Sequence, residues 1–199
     1  MHEWHLAHGA MMGEAGLWVR PRCYPMAGED LRAAYCREAA HVRKAAGLID
    51  VSTLGKIDIQ GPDAVELLER VYVNNWRTLA VGRVRYGLML REDGIVLDDG
   101  TTARLGEHHY VMTTTTVQAA RVLAHLEYLL QVVWPELQVH VTSVTEQWGV
   151  MALAGPESRE VLSRVADGGA AAVANEVLPH LSVIETTVDG VRCRVFRMR

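Results

Sequence analysis

The feature that most constrains this chain is a pattern that occurs twice. IDIQGPDAVELLERV at residues 57–71 and MALAGPESREVLSRV at residues 151–165 share one grammar: an apolar run, a Gly-Pro step, then apolar residues at helical spacing. In the first copy Lys56–Gln60 alternates and is β-branched, which predicts a strand. Gly61 and Pro62 end it, and Pro62 is placed at the first helical position, where its missing N–H and fixed φ cost nothing. Ala64, Leu67, Leu68 and Val71 form that helix's buried stripe. Val161, Leu162 and Val165 are the counterparts in the second copy. Two such units predict an α+β fold with two related antiparallel-sheet and helix lobes. Chance similarity of two short strand–helix units is the alternative.

The same reading extends to both sides. Asp30–Ala46 predicts a helix, with Leu31, Tyr35, Ala39 and Val42 at three- and four-residue steps and Gly47 as its stop. Strands are expected at Arg85–Leu90, Ile95–Leu105, Tyr110–Thr116, Val139–Val144 and Gly149–Ala154. A longer helix is expected over Val117–Val133, limited by Pro135. Strands and helices do not alternate strictly, which favours α+β over a doubly wound sheet. No linker separates independent domains, so residues 1–199 read as one unit. Val191, Cys193 and Val195 alternate in a last strand with no closing element, as expected of an incomplete C-terminus.

The 199 residues carry a net charge of −4 and 22% charged residues. No basic excess points to nucleic acid. No apolar run approaches the roughly 18 residues of a membrane span. Cys23, Cys36 and Cys193 are odd in number and widely spaced, which reads as reduced thiols in a cytoplasmic protein. Cys36, amid alanines in the first long helix, is expected to be buried and inert. The sequence has no GxGxxG, no P-loop and no GxSxG.

Four places hold candidate chemistry. His2, His5 and His8 are three apart rather than the four of a zincin helix, and no carboxylate or cysteine partner is evident; they read as surface or packing histidines, and no metal is assigned. His108 and His109 read as hairpin residues. Thr113–Thr116 is either a β-prone segment entering a helix or a set of hydroxyls and amides offered to a ligand at a strand-to-helix junction. The fourth place is REDGIVLDDG, where Asp98 and Asp99 follow an apolar run. Neighbours in a strand face opposite ways, so the two are not a proton-sharing dyad. Alternation sets Asp99 with Leu97 and Ile95, and Asp98 with Val96. An aspartate ending an apolar face is partly desolvated, and an amine-bearing ligand would offset that cost. Turn aspartates ahead of Gly100 are the plainer alternative.

The blocks WHLAHGA, DVSTLGKIDIQGPDA, VYVNNW, YGLMLREDGIVLDDG, YVMTTTT and LAGPESREVLSRV together resemble the folate-binding aminomethyltransferase family, the glycine-cleavage T-protein fold. Ser52-Thr53-Leu54-Gly55, where that family usually has Ser-His-Met-Gly, and Gly100 after the aspartates favour its sarcosine oxidase α-subunit branch. The resemblance implies bound tetrahydrofolate, with Asp99 as the catalytic residue at the reacting folate nitrogens, Leu54 against the pterin, and Thr113, Thr114 and Thr115 lining the pocket. It gives Asp98 the turn. It implies capture of the one-carbon unit from sarcosine as 5,10-methylenetetrahydrofolate, with partner beta, gamma and delta subunits and with FAD, FMN and NAD held elsewhere in the parent complex. A glycine-cleavage aminomethyltransferase and a non-catalytic folate-binding scaffold are the alternatives. Family members continue past VFRMR with a Gly-Glu motif that grips the pterin, so the resemblance implies a partial folate-binding unit, inactive by itself.

Overall fold

The computed structural model describes residues 1–198. Helix α1 (His2–Ala7) leads into a hairpin of β1 (Met11–Ala15) and β2 (Trp18–Cys23). Helix α2 (Leu31–Lys44) starts at Asp30, whose carboxylate accepts the Ala33 N–H at 2.7 Å and caps the helix. Its one buried residue is Ala34. Cys36 is exposed, correcting the expectation of a buried thiol. Two residues at about 100° each carry it to the far side of the helix from Ala34.

The chain continues through β3 (Gly47–Asp50), β4 (Gly55–Gln60), α3 (Ala64–Val71), β5 (Val84–Leu90), β6 (Val96–Gly106) and β7 (His109–Thr114). The helix expected over Val117–Val133 is a composite. A 3-10 turn at Thr116–Gln118 opens it, α4 (Ala119–Tyr128) forms its body, and a π turn at Leu129–Val133 closes it. In that wide turn Trp134 N–H reaches Leu129 O at 2.7 Å. Leu129, Leu130 and Trp134 thereby lie against the core. Then come β8 (His140–Ser143), β9 (Met151–Ala154), α5 (Ser158–Val165), α6 (Gly169–Ala172), β10 (Ser182–Val188) and β11 (Val191–Arg197).

The main sheet is antiparallel, in the order β5-β6-β7-β4-β8. One face holds the large core: Ile57, Ile59, Met89, Tyr110 and Met112 pack against Leu67 and Leu68 of α3 and Val122 and Leu126 of α4. On the other face Val84, Ala103 and Val111 pack with Val183 and Phe196 of the β10–β11 hairpin. Residues paired across neighbouring strands share a face. The second face therefore continues, beyond that cover, through Thr101, Asp99, Thr113 and Lys56.

Both Gly-Pro units are present. Helix α3 starts two residues later than expected: Asp63 precedes it, and Pro62 lies in the turn. The Asp63 carboxylate takes the Gln138 N–H at 2.8 Å, which ties the turn to the segment entering β8. The second unit, β9 and α5, belongs to a separate two-stranded sheet with β3.

Candidate functional site

Strand β6 is irregular where the aspartates sit. Met89 pairs with Asp98 and Leu90 with Val96, so Leu97 is an extra residue. Such a bulge breaks the alternation of faces. Leu97 and Asp98 are both buried, at 7% and 6% exposure, while Ile95 and Val96 are exposed. The expected sharing of a face by Asp99, Leu97 and Ile95 is thus corrected. The turn role of Asp98 is corrected as well. It lies within the strand, accepts Thr115 Oγ1–H at 2.7 Å and accepts Thr115 N–H at 3.1 Å. Burial pushes its carboxyl up, against the opposing effect of the Thr115 bonds.

These bonds continue a ladder that the backbones do not. The β6–β7 register runs to Thr102 and Met112. Beyond it the Thr113 hydroxyl accepts Thr101 N–H at 2.9 Å and lies 3.0 Å from Thr101 Oγ1. Gly100 makes this approach possible, since a Cβ there would lie 2.0 Å from Thr113 O.

Asp99 is half-buried and faces away from the large core. Tyr86 OH donates to its carboxylate, and that bond, more than burial, raises the phenol. Leu54 ends a turn closed by its own N–H to Val51 O at 3.0 Å. Gly55 pairs with Thr114, and Thr53 Oγ1 lies 3.2 Å from Thr116 Oγ1, so Leu54 reaches the same end of the sheet as Thr113–Thr115. Thr114, however, is 1% exposed and lies on the large-core side, opposite Thr113. The structure therefore gathers Asp99 and Thr113 on one face, sets Leu54 and Thr115 at its end, and turns Thr114 away.

Sequence reasoning missed three residues here: Tyr86, Asp50 and Lys56. His5, 4% exposed, lies 2.6 Å through Nδ1 from Tyr24 OH and 2.8 Å through Nε2 from Asp50. Asp50 accepts Ser52 N–H at 2.9 Å, and Ser52 O accepts from Lys56 Nζ at 2.7 Å. Burial would raise Asp50, but the Ser52 and His5 hydrogen bonds outweigh it and hold its carboxyl low. This chain of bonds joins the N-terminal helix to the turn carrying Leu54. One signal for Lys56 was available: Lys44 and Lys56 are the only lysines in a chain rich in arginine. His8 stacks on Trp4 with centroids 3.9 Å apart. Among the described residues no three His, Cys, Asp or Glu side chains gather as a metal site.

The fold as a whole has known counterparts. The chain belongs to the GCVT N-terminal domain family, matched over residues 1–199. It is 49% identical over 191 residues to a sarcosine oxidase subunit alpha from Rhizobium meliloti, covering 96% of this chain and 19% of that protein. The glycine cleavage system aminomethyltransferase T from Bartonella henselae superposes with a TM-score of 0.78 at 27% identity, over 94% of this chain and 46% of that one. A chain of the heterotetrameric sarcosine oxidase from Corynebacterium sp. U-96 shares the fold, with a TM-score of 0.56 and 16% identity over 85% of this chain and 80% of that one. The chain thus spans about a fifth of the length of its sarcosine oxidase relative and about half of the matched aminomethyltransferase.

Proposed function

We propose that this chain is the tetrahydrofolate-binding part of a sarcosine oxidase α subunit, with Asp99 its catalytic carboxylate. The observation that carries the reading is the position of Asp99. It is a half-buried carboxylate on the sheet face away from the large core, already holding one hydroxyl donor, at the end where Leu54, Thr113 and Thr115 meet. Such a group fits an amine-bearing ligand.

When bound, tetrahydrofolate supplies the nitrogens that accept a one-carbon unit. The chain's own residues orient that ligand and handle its proton. Asp99 accepts a hydrogen bond from the reacting amine and takes up the proton released there. Tyr86 OH steadies the carboxylate. Asp98 acts one layer below, fixing Thr115 by two bonds. Leu54 offers an apolar surface to the pterin, and Thr113 holds the β6–β7 approach. Thr114 supports this arrangement from the core side. Oxidation of sarcosine, with FAD, FMN and NAD, belongs to other parts of the parent assembly and its beta, gamma and delta subunits. The likeness to an aminomethyltransferase of the glycine cleavage system supports a second reading, in which the carbon comes from an aminomethyl donor rather than from an oxidase.

The test is Asp99→Asn in the full-length assembly. Formation of 5,10-methylenetetrahydrofolate should fall about 10²–10⁴-fold, roughly 3–5 kcal/mol of barrier. Flavin reduction by sarcosine should stay near normal, and formaldehyde release should rise. Unchanged folate-coupled transfer would overturn the assignment of Asp99. An assembly that transfers an aminomethyl carbon to folate but does not oxidise sarcosine would favour the second reading.

A further inference from the structure

Lys56 is one of two lysines in the chain and is 4% exposed. Arginine serves almost everywhere else that a cation is needed, so the choice of an ammonium at a buried position calls for a physical reason. The two side chains differ in the way that matters here: an ammonium is a compact point charge with three rotatable donors, whereas a guanidinium is a fixed planar fork.

Lys56 pairs with Thr113 in the β4–β7 ladder, which sets it on the same sheet face as Thr113, Thr101 and Asp99. Its Nζ turns toward the Leu54 turn and donates to Ser52 O at 2.7 Å. Among the described residues that carbonyl is its only hydrogen-bond acceptor. Asp50 is close enough to act on the amine through its charge but makes no hydrogen bond or ion pair with it; its carboxylate bonds His5 and Ser52 instead. An ammonium brings three N–H donors, so two are left without a protein partner at a buried site. Unmade hydrogen bonds on a desolvated charge are costly, and burial pushes this amine down from its ordinary value.

We propose that Lys56 is a ligand-binding residue of the Asp99 face, its free N–H donors taking an acceptor oxygen of the bound folate, a carbonyl or carboxylate oxygen. The inference rests on the folate reading above and deepens it. The face would then offer the ligand two complementary groups: a carboxylate for its amine, and an ammonium for its oxygen. Ser52 O holds the ammonium in place, and the His5–Asp50 bonds hold Ser52.

The test uses the full-length protein with its natural subunits, and tetrahydrofolate as the probe. Lys44 and Lys56 fall in one arginine-to-arginine peptide, residues 44–70, so each serves as the other's internal control in fragment mass spectra. Acetylation by N-acetoxysuccinimide should slow at Lys56 by about tenfold or more when tetrahydrofolate saturates the protein, and stay constant at Lys44. Lys56→Met should weaken tetrahydrofolate binding about 10–100-fold, the range expected for loss of a hydrogen bond to a charged group. Saturable binding with no change in Lys56 labelling, or with an unchanged Kd in Lys56→Met, would overturn this inference and leave the folate reading standing. If Lys56→Met does not fold, the labelling of the unaltered protein decides alone. Absence of saturable tetrahydrofolate binding by the unaltered protein would overturn both.

Discussion

The two Gly-Pro units start from one local grammar and end in different surroundings. In the first, Ala64, Leu67, Leu68 and Val71 of α3 are all buried, and β4 has a partner strand on each side. In the second, α5 has no buried residue, β9 pairs with β3 alone, and Val161 and Val165 remain 38% and 47% exposed. The helices are equally long, and Leu67, Leu68 and Val71 correspond to Val161, Leu162 and Val165, while Ser158 and Arg159 stand where the first helix has Ala64 and Val65. Local sequence therefore specifies the unit, and the sheet it joins decides what the unit is worth. A five-stranded sheet offers a face wide enough to bury a helix stripe; a two-stranded ribbon does not. The candidate site accompanies the first unit, because β4 carries Lys56 and is entered through the turn bearing Leu54.

The sharpest way to break this comparison is to empty both helices. Leu67→Ala should cost about 2–5 kcal/mol, as expected for a fully buried leucine, whereas Leu162→Ala should cost well under half as much. Denaturant unfolding of both variants measures the difference, and equal losses would show that the second helix is as firmly held as the first. The glycines test what the units share. Gly61 (φ 141°) and Gly155 (φ 106°) both have backbones that disfavour a side chain. A Cβ would lie 2.1 Å from Gln138 O at the first and 2.3 Å from Ala45 O at the second. Alanine at either should destabilise by about 1–3 kcal/mol, so here the two units should behave alike despite their different burial.

The smallest effect concerns β6, two strands away from the first unit's β4 in the same sheet. Burial raises the Asp98 carboxyl above its ordinary value of 3.8. A raised folded value means that the folded state holds the proton more tightly than the unfolded chain. The group's contribution is therefore fully present below pH 3.8 and is lost as pH rises through the folded value. Relative to Asp98→Asn, which does not titrate, the unaltered protein should lose melting temperature as pH climbs out of that range. A constant difference between the two across the acidic range would show that Asp98 is not desolvated as the structure has it.

Most strands and both long helices were legible because period-two and period-3.6 patterns report which face is buried. Gly61 as the end of a strand was legible for the same local reasons. Strands β1, β2, β3 and β10 were not: their burial patterns are mostly half-exposed, and without a clean apolar face there is no alternation to read. Cys36 was misjudged because an alanine-rich helix does not announce which alanine faces inward. Asp98 and Asp99 were singled out by their chemistry, but simple alternation wrongly grouped Asp99 with Leu97 and Ile95.

The sequence by itself determined the α+β class, the two strand–turn–helix units and the neighbourhood of the aspartates, since each depends on residues close together along the chain. Tertiary structure alone decided which aspartate is buried, because the bulge at Leu97 exists only in the pairing of β6 with β5. It alone turned Thr114 to the core and Thr113 to Asp99, and it alone brought His5 within 2.8 Å of Asp50, 45 residues away. A one-residue slip in strand pairing reverses every face beyond it. Register between distant segments is set by what they pack against, and no stretch of either strand read alone contains it.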